Sequence, residues 1–237
     1  MTRPKIKICG NTNLNDSKMI ASFKPDYMGW IFSPHSIRQI NQESAATIIQ
    51  EVKQLQPQIQ HVGVFAGNSV ESIVKLNKFL TQSQVALDFF QVVESAEFVA
   101  ELRKADAATP IIPVIRPTRK IQNADFELYE LNITSNTTES FDTLNASKAD
   151  KENSPPFYIL DRFDITAKGG TGKQIDADFF APVRFQFLVA GGINPTNALD
   201  IVKLSGAIGI DLSSGVESEP GKKDKAKIEQ LFKNMWG

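Results

Sequence analysis

Two residues at the ends of short apolar segments could exchange protons with a substrate, and the first is Cys9. It is the only cysteine in the chain. Alternate side chains of a strand share a face, so an extended segment places Cys9 on the same face as Lys7. A nearby cation favours the thiolate and could prepare Cys9 as a base or nucleophile. The alternative, a small buried hydrophobic residue, stays open.

The second residue is Asp161, which closes the apolar run Phe157–Leu160. A carboxyl group at the end of a buried strand is partly desolvated, which raises its pKa and lets it act as a general acid. An ordinary role as a helix cap or loop residue is the alternative, and that role suits the nearby Asp164 better than Asp161.

Three glycine-rich segments could approach an anionic ligand through their backbone amides. They are Lys168–Lys173, Ala190–Pro195 and Asp211–Val216. The first resembles part of a P-loop, but Lys173 is followed by Gln174, so the motif is incomplete and nucleoside triphosphate binding is rejected. The other two follow consecutive predicted strands, an arrangement that is typical of phosphate sites in α/β barrels. Taken singly, each segment is better explained as an ordinary turn.

Arg38 follows the second predicted strand and could hold a carboxylate through two hydrogen bonds. Arg116, at the end of the fifth strand, is a weaker candidate of the same kind, and an isolated arginine in a loop is usually a solvated charge. His35 and His61 have no partners at metal-ligand spacing, so we interpret both as structural or incidental and predict no metal site.

These residues must be positioned by a regular alternation of strands and helices, which predicts a parallel α/β sheet. The count of eight strands, and the polar groups at their carboxyl ends, favour a (β/α)8 TIM barrel over an open doubly wound sheet. In such a barrel Ile6 and Ile8 pack under the helices and Cys9 points inward. The predicted strands are Ile6–Cys9, Tyr27–Phe32, His61–Phe65, Leu87–Val92, Ile111–Ile115, Phe157–Leu160, Phe187–Ala190 and Ala207–Asp211.

Helical periodicity separates these strands, and we predict one domain over residues 1–237. Between residues 116 and 156 one connection and one helix are expected, yet much of the segment is polar. We therefore predict a polar insertion or long loop around 117–156, most simply a tolerated surface insertion. The helices are Leu14–Phe23, Gln42–Leu55, Val70–Leu80, Ala96–Lys104, Asn197–Leu204 and Lys222–Met235.

Composition narrows the class of partner. The 237 residues carry 26 basic and 27 acidic side chains, without the basic surplus that is usual in proteins that bind nucleic acid or anionic membranes. No apolar stretch approaches a membrane span or a signal peptide. A single cysteine cannot form an internal disulfide, which fits a cytoplasmic protein. We expect a small-molecule ligand.

Taken in order, several segments resemble the phosphoribosylanthranilate isomerase family of tryptophan biosynthesis. Lys7–Thr12 resembles the family's K-[IV]-C-G-x-[TK] motif, and Gly29–Arg38 its second-strand motif. Further matches are Val62–Phe65, Leu160–Asp161 with Gly169–Lys173, Ala190–Pro195, Asp211–Glu217 and Pro220–Asp224. The resemblance covers nearly the whole chain outside 116–156.

The resemblance implies an Amadori rearrangement of a phosphosugar that uses no cofactor and no metal. It implies that Asp161 protonates the furanose ring oxygen and that the Cys9 thiolate removes the proton from C2. Arg38 would bind the anthranilate carboxylate. Backbone amides would hold the phosphate near four residues, Gly191, Gly192, Ser214 and Gly215. The oligomeric state, monomer or homodimer, stays open.

One motif departs from the family. At the end of strand four the family carries Q-L-H-G, and here Gln91 is kept, whereas Val93 replaces the histidine and Glu94 the glycine. An apolar side chain cannot replace imidazole as a hydrogen-bond partner, so substrate positioning is in question. Two alternatives therefore remain, a barrel isomerase for a different phosphosugar and a non-catalytic barrel that binds a sugar phosphate.

Overall fold

The computed structural model describes residues 3–116, 119–131, 157–161 and 183–237. Eight strands in this part of the chain form a closed barrel, in which β1 pairs with both β2 and β8 and all neighbours run parallel. The strands are β1 (Lys5–Ile8), β2 (Tyr27–Ile31), β3 (Gln60–Phe65), β4 (Phe89–Val92), β5 (Ile111–Ile115), β6 (Tyr158–Asp161), β7 (Phe187–Ala190) and β8 (Gly209–Leu212).

Helices connect these strands, and polar side chains mark where several of them begin. The side chains of Asn13, Asn41, Ser69 and Ser95 each accept a hydrogen bond from a backbone N–H in the first turn of the helix that follows. The helices are α1 (Leu14–Ser22), α2 (Gln42–Leu55), α3 (Val70–Gln82), α4 (Ala96–Ala105), α5 (Asn123–Leu131), α6 (Ala198–Ser205) and α7 (Lys225–Trp236).

Aromatic side chains close the barrel interior at the amino ends of the strands. The rings of Tyr27 and Phe157 lie 5.2 Å apart between centroids, and Phe89 contacts both. Above them, apolar side chains from four strands complete the inner cluster: Val62, Ile112, Val114, Ile159, Leu188 and Ala190. Because this end is filled, the space that remains open lies at the carboxyl ends.

The outward side chains of the strands pack under the helices in a second, larger core. Ile6 and Ile8 belong to it, as the alternation along β1 predicts. Trp30 and His61 meet on this outer layer, where the indole Nε1 donates to His61 Nδ1 at 3.1 Å. The two faces of each strand therefore serve different purposes, one for packing and one for the barrel interior.

The barrel confirms the predicted fold class, and the open sheet is the wrong alternative. The bounds of β5, β7 and α2 agree with the prediction, and no end of the other six barrel strands differs from it by more than two residues. The last helix was predicted to begin at Lys222 and begins at Lys225. Instead, β9 (Glu217–Glu219) and β10 (Lys222–Lys223) pair antiparallel before the helix, and the side chain of Asp224 caps it.

Only part of the predicted insertion lies in the described chain. Helix α5 supplies the expected helix, and the segment 132–156 lies outside the described residues. The same is true of Asp164 and of the glycine-rich segment Lys168–Lys173. Among the helices that are described, none has the length and apolar character needed to cross a membrane.

Candidate active site

A cavity of about 470 Å³ opens at the carboxyl ends of the barrel strands. Its volume suits a small organic ligand. Strand ends and the loops that follow them form its wall together, with Cys9, Gln91, Val93, Arg116, Asp161, Asp211, Ser33–Ser36, Gly191–Ile193 and Ser213–Ser214 among the lining residues. Cys9 and Asp161, which come from β1 and β6 on different sides of the barrel, therefore face one shared space.

Cys9 lies just beyond the end of β1 and is 7% exposed. Burial raises the pKa of its thiol, although the neighbouring Lys7 acts in the opposite direction. The cation thus lies where the alternation along the strand places it, but it does not outweigh desolvation. The backbone of Cys9 is fixed as well, since its carbonyl oxygen accepts a hydrogen bond from Lys223 Nζ at 2.6 Å.

Asp161 is the last residue of β6, and its side chain is 20% exposed. Its Oδ2 accepts a hydrogen bond from Arg116 Nε at 3.0 Å. The sequence predicts a carboxyl group in partly desolvated surroundings, and the structure adds a guanidinium beside it. Arg116 was only a weak candidate for binding a substrate carboxylate, and here it contacts the predicted acid.

Arg38 is held by a carboxylate of this chain. Its Nε and Nη2 donate to both carboxylate oxygens of Glu217, at distances between 2.6 and 3.1 Å. Burial acts to raise the pKa of Glu217, but hydrogen bonds from Arg38 and Lys223 outweigh it and lower that pKa to about 2. Arg38 is not among the residues that line the cavity, and the clamp through Glu217 was not visible in the sequence.

Lys223 completes this charged cluster. Its Nζ donates to Glu217 at 2.9 Å and also contacts the carbonyl and hydroxyl oxygens of Ser213. Its side chain is 1% exposed. The short hairpin of β9 and β10 therefore ties the loop after β8 to the carboxyl end of β1. Two cations surround one carboxylate in this cluster, which leaves a net positive charge beside the cavity.

The predicted anion site follows β7 and β8. Gly191 and Gly192 have φ values of 91° and 65°, a left-handed conformation that favours glycine, and both line the cavity with Ser214. Gly215 does not line it. A Cβ on Gly215 would overlap the carbonyl oxygen of Ile193, so glycine is needed there for the two loops to touch.

The altered strand-four motif also reaches the cavity. Gln91 and Val93 line it, whereas Glu94 turns away and accepts a hydrogen bond from the backbone N–H of Gly67 at 2.6 Å. Gln91 Oε1 is buried, and no group in the described part of the chain donates to it. Val93 leaves an apolar patch on the wall at the position where the family motif carries an imidazole.

Two polar residues among those that line the cavity, Gln91 and Asp211, were given no catalytic or binding role from the sequence. Asp211 pairs with Lys7, 204 residues away along the chain, with 2.9 Å between Nζ and Oδ1. Its place after four apolar or small residues was the signal available, since Asp211 closes the predicted strand Ala207–Asp211 as Asp161 closes the apolar run Phe157–Leu160. No group of three or more metal-ligating side chains occurs in the described ranges.

Comparison with known proteins finds one family that matches nearly the whole chain. A model of the family described as N-(5'phosphoribosyl)anthranilate (PRA) isomerase matches residues 6–234. The N-(5'-phosphoribosyl)anthranilate isomerase of Chlorobium chlorochromatii is 32% identical over 235 residues, which cover 95% of this chain and 94% of that protein.

Solved structures give the same result. The chain is similar to the phosphoribosyl anthranilate isomerase of Thermotoga maritima, with a TM-score of 0.70, 27% identity and 98% of each chain covered. A second structure, described as monomers of the dimeric T. maritima enzyme, gives 0.66 at 26% identity and 99% coverage of each. A third, in complex with reduced 1-(o-carboxyphenylamino)-1-deoxyribulose 5-phosphate, gives 0.67 at 26% and 98% of each.

Proposed function

The chain belongs to the N-(5'-phosphoribosyl)anthranilate isomerase family, and from this premise we propose that the cavity is its active site, with Cys9 as the base and Asp161 as the acid. The reaction is the Amadori rearrangement of N-(5-phosphoribosyl)anthranilate to 1-(2-carboxyphenylamino)-1-deoxy-D-ribulose 5-phosphate, a step of tryptophan biosynthesis. The observation that carries the two roles is that both side chains line one cavity from different strands.

The acid acts first. Asp161 gives a proton to the furanose ring oxygen while the bond between that oxygen and C1 breaks. The anthranilate nitrogen supplies the electron pair that forms the C1–N double bond, so the ring opens to a protonated Schiff base. A positioned acid assists such a step because the leaving oxygen departs as a hydroxyl rather than as an alkoxide.

The base acts second. The Cys9 thiolate takes the proton from C2, and the electrons of that C–H bond form a C1–C2 double bond while the iminium nitrogen is neutralised. The enolamine then tautomerises, with a proton added at C1 and the C2 hydroxyl proton lost, which gives the ketone. No net oxidation occurs, and the acid and base account for the chemistry without a metal or cofactor.

Two further regions would hold the anionic ends of the substrate. We assign the phosphate to the backbone amides near Gly191, Gly192, Ser214 and Gly215, because the left-handed glycines turn this backbone toward the cavity. We assign the anthranilate carboxylate to Arg38, which does not line the cavity itself but lies next to Ser213, a residue that does. Glu217 orients its guanidinium through Nε and Nη2, and the net positive charge of the cluster suits a second carboxylate.

We further propose that the chain acts as one domain in the cytoplasm, as a monomer or a homodimer. One solved relative is described as dimeric, which favours the dimer. The substrate is a small phosphosugar, and the balanced charge of the chain supports neither nucleic acid nor a membrane as a partner. Molecular mass measured in solution over a range of concentrations distinguishes the two oligomeric states.

Substitution of the two proposed groups tests their roles. We expect Cys9→Ala and Asp161→Ala each to lower kcat by about 10²- to 10⁴-fold, with the far-ultraviolet circular dichroism unchanged. The assay follows the loss of anthranilate fluorescence from the substrate. Asp164→Ala, at a carboxylate that the sequence assigns to a loop, is the matched control and should retain activity. Full turnover in either test variant contradicts the role of that residue.

A further inference from the structure

Lys7 is a buried lysine that the acid–base steps do not use. Its side chain is fully buried inside the barrel, where an unpaired ammonium is strongly disfavoured. The register of the closed barrel sets Lys7 of β1 directly opposite Asp211 of β8, and Nζ lies 2.9 Å from Oδ1. Burial acts to lower the pKa of Lys7, but the anions beside it raise the pKa overall, so the ammonium persists at neutral pH.

The same ammonium also meets the proposed base. Lys7 Nζ donates to Asp211 Oδ1, and the charge of the ammonium also acts on the Cys9 thiol. The Cys9 thiol and the Lys7 ammonium both lie against Gly29 of β2, since a Cβ on Gly29 would lie 2.7 Å from Cys9 Sγ and 2.9 Å from Lys7 Nζ. Glycine at position 29 thus leaves the space in which thiol and ammonium sit side by side.

We propose that Lys7, held in place by Asp211, is a positioning residue that stabilises the thiolate form of Cys9 against the effect of burial and orients the sulfur toward the cavity. The inference rests on the proposed role of Cys9 as base. Burial works against the thiolate, and a fixed cation beside the sulfur opposes that effect. Charged groups from several elements act on the thiol together: Lys7, Asp211, Lys223 and Arg38.

The two members of the pair have opposite effects on the thiol. The Lys7 ammonium favours the thiolate, whereas the Asp211 carboxylate repels it and competes for the same ammonium. Removal of the cation should therefore raise the pKa of Cys9, and removal of the carboxylate should lower it.

The experiment titrates the thiol in the free enzyme. Because the chain has one cysteine, the rate of alkylation by iodoacetamide as a function of pH reports on Cys9 alone. We expect Lys7→Met to raise the thiol pKa by about one unit or more and Asp211→Asn to lower it. At neutral pH the first change reduces the thiolate fraction, and with it kcat, by about tenfold. The acidic limb of the kcat profile should move with the thiol, while KM changes little.

Lys5→Met is the matched control, since Lys5 lies two residues earlier on β1 and pairs with Asp26 outside the cavity. It should leave the thiol titration unchanged. Lys7→Met buries an unpaired carboxylate and can fail to fold, so the double variant Lys7→Met/Asp211→Asn, which buries no charge, provides a second test. Its thiol pKa should lie above that of the unmodified protein.

Shifts of the thiol pKa in the same direction for the two single variants, or no shift in the double variant, overturn the proposal. The proposed function fails in a different way. Opposite shifts of the thiol together with full turnover of Cys9→Ala leave the pairing intact and remove Cys9 as the base.

Discussion

Cys9 shows how much of a residue's chemistry depends on its neighbours. The thiol is buried, and its pKa is raised by that burial despite two lysines nearby. Asp161 is instead partly exposed and bonded to Arg116. The proposed base and acid therefore have different surroundings. Cys9 is buried among charged side chains, and Asp161 lies at the edge of the cavity beside the guanidinium of Arg116. Different surroundings are what separate the roles of two proton-exchanging groups.

At the same scale, Val93 provides a test of the altered motif. We expect Val93→His to lower KM for N-(5-phosphoribosyl)anthranilate by about 3- to 10-fold, because one added hydrogen bond contributes about 0.5–1.5 kcal/mol. Steady-state kinetics on both proteins measure the effect. Val93→Leu adds volume without a polar atom and should show no such gain. An equal gain with leucine, or none with histidine, would contradict the interpretation.

At the scale of elements, the loops after β2 and β8 and the hairpin of β9 and β10 act as one unit. Arg38 in the first loop, Glu217 at the start of the hairpin and Lys223 at its end form a continuous chain of charge-assisted hydrogen bonds. Such bonds are roughly twice as strong as neutral ones. The hairpin thereby sets the orientation of the guanidinium that we assign to the substrate carboxylate.

The contact between β2 and β3 predicts an acid-sensitive step in stability. Burial, and then the charge of Lys53, lower the pKa of His61 from 6.5 to about 3. In the unfolded chain His61 therefore binds a proton below about pH 6.5, whereas in the folded chain it stays neutral until about pH 3. The free energy of unfolding should fall over this window, by up to about 1.4 kcal/mol per pH unit from His61.

His61→Phe removes this titration. At pH 7.5 we expect the variant to be less stable by about 1–3 kcal/mol, because the indole N–H of Trp30 loses its buried acceptor. As the pH falls through 6 and below, the difference in the free energy of unfolding between the two proteins should narrow. Only the unmodified protein has a histidine at position 61 whose titration lowers its stability. Urea unfolding of both proteins at a series of pH values measures this difference. A difference that stays constant with pH would refute the expectation.

At the scale of the whole molecule, the barrel closes by bringing the two ends of the described chain together. Strand β1 pairs with β8, and α7 contacts both α1 and α6. The indole N–H of Trp236 donates to the carbonyl oxygen of Pro4 at 2.9 Å, and Arg3 stacks on the same ring. Helix α7 therefore covers the seam at which the barrel closes.

The packing of α7 should therefore contribute to the stability of the entire barrel. Leu231 is fully buried on the inner face of the helix, and Leu231→Ala should lower the free energy of unfolding by about 2–5 kcal/mol. Glu229→Ala, on the exposed face of the same helix, should change it by less than about 0.5 kcal/mol. Chemical denaturation measures both. Equal effects at the two positions would show that the helix does not support the seam.

Much of the fold follows from local pattern, and the exceptions have identifiable causes. Strands β5 and β7 and helix α2 begin and end where apolar periodicity and capping residues indicate. Residues 222–223 were included in the predicted helix Lys222–Met235. They form a strand because Gly221, at a φ of 82°, turns the chain back onto residues 217–219. A hairpin this short leaves little periodicity to detect.

The sequence by itself determined the inward face of each strand and the carboxyl end at which Cys9 and Asp161 lie, because alternation along a strand needs no knowledge of its neighbours. Only the tertiary structure decided the charges around them. Lys7 meets Asp211 across 204 residues and Arg38 meets Glu217 across 179. These pairs depend on strand register and barrel closure, which bring distant segments together. No periodic pattern in the sequence indicates such pairs.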